Sequence, residues 1–175
     1  MSDSKSDTLI IGCGIAGAAC ALQLSAADPN HNITVVTHMK NPALNNTAWA
    51  QGGIVTRGLD DSPDLLIEDV LRAGAGLSSP QAVKILAEQG PDVVRSMLIE
   101  RCGINFDKDE SDALVYALEG AHSARRVVHV GDKTGKEIVD GMLSELQKCS
   151  NVTLLSAHTA VDLITFPHHS PNPLD

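Results

Sequence analysis

The sequence predicts an α/β fold, on three observations. A glycine-rich turn, Gly12-Cys13-Gly14-Ile15-Ala16-Gly17, follows the apolar run Thr8-Leu9-Ile10-Ile11 and opens an alanine-rich stretch from Ala18 to Ala27. A second apolar run, Asn32 to Thr37, completes a β-α-β unit of the length a Rossmann unit needs. Aromatics are only 2% of a chain that is 43% hydrophobic, so its core is built from Ala, Val, Leu and Ile, as in α/β folds whose strands are buried on both faces.

The glycine turn reads as a dinucleotide site because of its context. In the G-x-G-x-x-G arrangement the first glycine allows the turn and the second lets a pyrophosphate approach the backbone. The third lets helix and strand pack closely. The helix that follows aims unpaired N–H groups and the positive end of its dipole at the phosphate. Glycines also gather in ordinary turns; the strand before and the helix after make this one specific.

At 175 residues the chain is long enough for one domain with a real core. Its formal net charge of −9 argues against nucleic acid and anionic membrane surfaces as partners. No apolar run approaches the length of a membrane span. Residues 1–7 are polar, lack the features of a signal peptide, and are expected to be a disordered N-terminus. Cys13, Cys20, Cys102 and Cys149 form no C-x-x-C pair, which points to reduced thiols and a cytoplasmic setting. Cys13 reads as a small residue tolerated in the turn.

Past the second strand, a plain NAD site would end in Asp or Glu to bind a ribose hydroxyl. Here stand Thr37, His38, Met39 and Lys40, with no carboxylate, which leaves room for another dinucleotide. The polar loop Asn41 to Thr47 leads to Ala48-Trp49-Ala50-Gln51-Gly52-Gly53-Ile54. Its glycine pair fits a close approach of backbone to ligand and a hairpin turn equally well. Three helices are expected next. Ser62-Pro63 and Ser79-Pro80 each give an N-cap with Pro at the first helical position, and Pro91 is expected to start the third, which stops at Gly103.

Ile104 to Val130 reads as short strands around an acidic turn, Asp107 to Asp112. Thr134-Gly135 opens an amphipathic helix with Ile138, Val139, Met142, Leu143 and Leu146 on one face. Asn151 to Ser156 and Ala160 to Phe166 are expected as β segments, and 167–175 as a proline-punctuated tail. The pair His168-His169 reads as part of that solvated loop, and no metal site is expected. There is no internal repeat.

Five segments, in order, carry a resemblance. They are Leu9 to Gly17, Asn46 to Ile54, Glu68 to Gly76 (Glu-Asp-Val-Leu-Arg-Ala-Gly-Ala-Gly), Glu119 to Arg126 (Glu-Gly-Ala-His-Ser-Ala-Arg-Arg) and Asp132 to Glu137. Together they resemble the L-aspartate oxidase family, flavoproteins that begin bacterial NAD synthesis. That family shares its fold with the flavoprotein subunits of succinate dehydrogenase and fumarate reductase. The resemblance implies a Rossmann-like FAD-binding domain of the glutathione-reductase type, with residues 8–166 as its N-terminal part.

The same resemblance implies FAD, which accounts for the missing carboxylate: in these flavoproteins the second strand often ends in Ser or Thr near a Lys, as Thr37 and Lys40 do. It places the pyrophosphate at Gly12, Cys13, Gly14, Ile15, Ala16 and Gly17. It wraps Asn46, Thr47, Ala48, Trp49, Ala50, Gln51, Gly52 and Gly53 around the isoalloxazine and pyrophosphate, and sets Thr159 and Ala160 against the adenine side. Asn46 stands where respiratory relatives carry a flavin-linking His, so the cofactor is expected to be non-covalent.

Glu119 matches the residue that faces the substrate amino group, where a carboxylate pairs with the ammonium and tunes the proton that must leave. His122, Arg125 and Arg126 are read equally as site residues and as cap or salt-bridge groups. The implied reaction oxidises L-aspartate to iminosuccinate, with O2 or fumarate as acceptor and quinolinate synthase as pathway neighbour. Family members are much longer than this chain. Their mobile capping domain, the second half of the FAD domain and a C-terminal helical domain have no counterpart in it, so the chain alone is expected to be inactive. Two alternatives are a soluble fumarate reductase or succinate dehydrogenase flavoprotein, against which Asn46 and Glu119 speak, and a non-catalytic dinucleotide-binding module.

Overall fold

The computed structural model describes residues 5–163. Strand β1 (Thr8–Ile11), helix α1 (Ile15–Ala27) and strand β2 (Ile33–Val36) form the expected β-α-β unit. β5 (Val152–Leu155) joins β2 on its other side, giving a parallel sheet in the order β1-β2-β5. Parallel neighbours need a crossover. α1 supplies the first; the second is everything between β2 and β5, ending in helix α4 (Thr134–Lys148).

One face of the sheet lies on α1, and α4 packs against α1. α1 buries only small or slim groups there, Ala18, Ala21, Leu22 and Ser25, and α4 buries Ile138, Val139, Met142, Leu143 and Leu146 at helical spacing. Ile33, Val35, Phe106 and Val128 complete this aliphatic core. The third glycine of the turn sets how closely α1 approaches. A Cβ on Gly17 would lie 2.0 Å from the Gly12 carbonyl oxygen, so only glycine fits. The other face of β1 stays open, with Leu9 55% and Ile11 67% exposed.

The crossover carries a second layer. β3 (Ile54–Val55) pairs antiparallel with β4 (Val127–Val128). α2 (Pro63–Ala73) and α3 (Pro80–Val93) start as expected: Ser62 Oγ accepts from Leu65 N–H at 3.2 Å and Ser79 Oγ from Ala82 N–H at 3.5 Å.

Several expectations are corrected. Pro91 does not begin a helix; α3 runs through it, and the chain continues as a π-helical segment, Val94–Arg101. A proline inside a helix removes the N–H that the carbonyl four residues back would use. That carbonyl is Ala87 O, and Arg57 Nη2 donates to it at 2.6 Å, which makes the proline tolerable. Between Ile104 and β4 the expected strands shrink to isolated bridges, Lys108 with Leu114 and Ala117 with Val127. Residues 160–163 have no regular structure, and the rest of the expected β segment, Ile164 to Phe166, lies outside the described residues, as do the 167–175 tail and its His pair. Within the N-terminal segment, Asp7 N–H donates to Asn32 O at 2.9 Å and its carboxylate accepts from Asn32 N–H at 2.8 Å.

Candidate cofactor groove and the Glu119 loop

All three parallel strands end on one groove, which is where open α/β sheets bind ligands. After β1 comes Gly12, whose φ of +102° suits glycine; the space its Cβ would take is empty. After β2 come Thr37, His38 and Met39, and after β5 come His158, Thr159 and Ala160. His158 N–H donates to Thr37 O at 3.0 Å, tying two of these strand ends together.

The groove consists of two adjoining hollows that share Gly12, Thr37 and His38. The larger, about 500 Å³, is also lined by Cys13, Gly14, Asn46, Thr47 and Trp49. The smaller, about 200 Å³, holds Thr159 and Ala160.

The head of α1 is built for an anion. Four N–H groups at a helix start have no intrahelical partner. Here Gly14 is the N-cap and brings no side chain. Ile15 N–H donates to Thr47 Oγ1 at 3.1 Å. Among the described residues the N–H groups of Gly14, Ala16 and Gly17 find no acceptor. Burial pushes the Cys13 thiol up, so a neutral SH and not a thiolate sits in this turn, as an anion site requires. Three open donors, the empty volume at Gly12 and an elongated two-lobed groove fit a dinucleotide.

Two residues that were not among the expected site residues hold the groove's outer wall. Asn45 Nδ2 donates to Cys13 O at 3.2 Å and Pro42 O at 2.9 Å, and its Oδ1 accepts from Ala48 N–H at 3.3 Å. An Asn one residue before a helical turn is a capping signal that the sequence did carry. The second is Gly135 at the head of α4. Its N–H donates to Ala50 O at 2.9 Å, and a Cβ there would lie 1.9 Å from Thr47 O. Buried Thr134 adds Oγ1 to Gln51 O at 3.4 Å. The Asp132 to Glu137 motif thus clamps the segment Thr47 to Gln51.

Other expected positions fall elsewhere. Lys40 is exposed and lines neither hollow, and neither do Ala48, Ala50, Gln51 and Gly52. At Gly53, with φ +122°, a Cβ would sit 2.6 Å from Val128 O, so the chain just before β3 runs tight against β4.

Glu119 lies outside the groove, exposed in the loop before β4. That loop is fastened to α2 by a buried ionic cluster. Arg126 is fully buried, with its Nη2 2.7 Å from Asp61 and its Nη1 2.6 Å from Asp69. Burial works to raise the Asp69 carboxyl. Hydrogen bonds from the Ser123 N–H, Arg126, the Ser123 hydroxyl and Arg72 outweigh it and hold the group well below the usual carboxylate range. Arg125 remains outside the cluster, on the rim of a hollow of about 400 Å³ with Leu59 and Tyr116.

Among the described residues no three His, Cys, Asp or Glu side chains gather to hold a metal ion, and no helix is long and apolar enough to cross a membrane. The four cysteines are free.

Comparison with known proteins agrees with the groove. The L-aspartate oxidase of Halobacterium salinarum is 40% identical over 94% of this chain, and that of Clostridium acetobutylicum is 36% identical over 92%. The chain spans 31% and 36% of those relatives' lengths. Among solved structures, a quinol-fumarate reductase bearing menaquinol matches 94% of the chain and 28% of its own, with a TM-score of 0.87 at 21% identity, a likeness of fold. The family model described as FAD binding domain matches residues 7–169, and with it the chain belongs to the FAD-binding domain family and takes FAD as its cofactor.

Proposed function

We propose that this chain is the N-terminal FAD-binding part of an L-aspartate oxidase, with a Rossmann-like core of the glutathione-reductase type. The 40% identity to one such enzyme over 94% of the chain carries the reading. In this assignment α1 and Gly12 receive the pyrophosphate, Asn46, Thr47 and Trp49 border the flavin side, and Thr159 and Ala160 border the adenine. Asn46 offers no imidazole for a covalent link, so FAD is held by contacts alone.

Bound FAD supplies the acceptor for the hydride that leaves the aspartate α-carbon. The chain's own part is orientation and charge. Glu119 pairs with the substrate ammonium and takes part in removing its proton, and the ionic cluster on Arg126 keeps that loop in place. Iminosuccinate is the product, O2 or fumarate the final acceptor, and quinolinate synthase the consumer in NAD synthesis. The setting is cytoplasmic.

The test uses the complete flavoprotein under anaerobic conditions. Aspartate is expected to bleach the flavin absorbance and succinate is not; bleaching by succinate alone sinks the assignment in favour of a dicarboxylate oxidoreductase. The 175-residue chain by itself is expected to bind FAD weakly, read as quenching of Trp49, its one tryptophan. It should make no peroxide from aspartate. Orientation contributes roughly 7–11 kcal/mol to such catalysis, and this chain spans 31% of the length of the Halobacterium salinarum L-aspartate oxidase.

A further inference from the structure

The cation at the centre of the ionic cluster does more than neutralise two acids. Arg126 Nε and Nη2 donate to Asp61 at 3.0 and 2.7 Å, and Nη1 donates to Asp69 at 2.6 Å. Nη1 also lies 2.8 Å from His122 Nδ1. A guanidinium has donors only, so Nδ1 is the acceptor and the proton of a neutral His122 sits on Nε2. Arg72 bonds Asp69 as well, and its Nη2 donates to Ala121 O at 3.3 Å. Two acids face two arginines, so the cluster orders the loop without adding net charge beside Glu119.

The turn it orders is one the chain does not adopt freely. Ala121 has φ +68°, a left-handed conformation that disfavours any side chain. His122 N–H donates to Glu119 O at 3.2 Å across that turn, and the Ser123 N–H and hydroxyl hold Asp69 at 2.7 and 2.8 Å. Glu119 therefore departs from a turn fixed on its far side by His122, and His122 is fixed by Arg126.

We propose that Arg126 is the positioning residue for Glu119, acting through the Nδ1 acceptor of His122, and that it thereby sets recognition of the substrate's α-ammonium group. This rests on the role given to Glu119 above.

The experiment varies His122 and leaves Arg126 in place, so that neither buried carboxylate is stranded. In the complete, flavin-loaded protein, His122→Leu removes the acceptor, whereas a Gln side chain can still accept from Arg126 through Oε1. His122→Leu is expected to raise the KM for aspartate about tenfold, the equivalent of about 1.4 kcal/mol of misplaced pairing. The inhibition constant of succinate, which has both carboxylates and no ammonium, should move less than about twofold by the same relation. His122→Gln should restore most of the loss. Equal losses for aspartate and succinate, or no recovery with Gln, overturn the proposal. A separate readout needs no substrate: nitrogen NMR of the His122 imidazole should show Nδ1 bare and Nε2 protonated, and an Nδ1–H form overturns it. If the unaltered protein does not oxidise aspartate, the functional reading falls, and the imidazole spectrum alone decides whether Arg126 holds the turn.

Discussion

Replacing Arg126 by Met should destabilise the protein far more than the loss of one surface ion pair. The side chain has no exposed area, and its partners Asp61 and Asp69 are 0% and 3% exposed at the side chain. Met fills much of the volume but leaves Asp61 buried without a cation and Asp69 with Arg72 alone. Breaking a buried pair on one side costs about 3–5 kcal/mol, against about 1 kcal/mol or less for an exposed pair. For a domain of this size each kcal/mol shifts Tm by about 2–4 °C, so the expected drop is about 6–20 °C at pH 7. The pH dependence adds a sign. In the native protein the Asp69 carboxyl lies below its unfolded value, so its contribution is complete above the ordinary carboxylate range and is lost as pH falls below it. In the variant the acid left buried without a cation carries a desolvation penalty that is complete at neutral pH and fades as it protonates. The gap between the two proteins should therefore narrow as pH falls from 7 toward about 4.5, still above the ordinary Asp value of about 3.9. Thermal unfolding followed by far-UV circular dichroism at both pH values measures it. A deficit below about 1 kcal/mol, or one indifferent to pH, refutes the reasoning, because it would mean water already reaches the cluster.

Four other outcomes are expected. Gly14→Val should strip the protein of flavin, since a Cβ there already lies 3.1 Å from Thr47 Oγ1 and a branched side chain intrudes on the anion site; purification at full yellow colour counts against the groove. Glu119→Gln should slow aspartate oxidation markedly and fumarate reduction less, whereas equal losses would leave Glu119 a structural role only. A thiol reagent should label exposed Cys20 well before buried Cys13, whose thiol burial has pushed up; mass spectrometry of the first adduct reads the order. The isolated chain should self-associate with rising concentration in sedimentation, because Leu9 and Ile11 leave an apolar edge strand open, and a strictly monomeric chain at high concentration would contradict that.

Signals that act over a few residues were legible in the sequence. The strand, glycine turn and helix at the N-terminus, the Ser-Pro helix starts at 62 and 79, and the apolar face of α4 are each written within one or two turns of chain. What escaped was settled at long range. Pro91 reads locally as a helix start, and only Arg57, 30 residues before the carbonyl it satisfies, lets the helix continue. For Arg126 the sequence leaves a site role and a cap or salt-bridge role open, and its ion pairs show only once Asp61 and Asp69, 65 and 57 residues earlier, are brought against it. The Asp132 to Glu137 segment shows a helix start, but its tight glycine has meaning only once the Thr47 to Gln51 segment lies over it.

The groove and the Glu119 loop are fixed by different physics, in keeping with what each is proposed to hold. A pyrophosphate is recognised by backbone donors at a strand end, so the groove is made rigid by glycines that bring main chains together: Gly17 against Gly12, and Gly135 against Thr47 and Ala50. No side-chain charge is needed there. The loop bearing Glu119 has no regular structure to stiffen it, since β4 is two residues long. Its order comes from buried charges on α2 and the loop before it. Such charges cost desolvation and contribute little net stability when fully paired, but they tolerate few alternative arrangements. In the role proposed for Glu119, meeting a single ammonium group, that restriction of geometry matters more than stability. The cluster is screened from solvent and holds the turn to which the Glu119 carbonyl is bonded, while the Glu119 residue itself stays exposed.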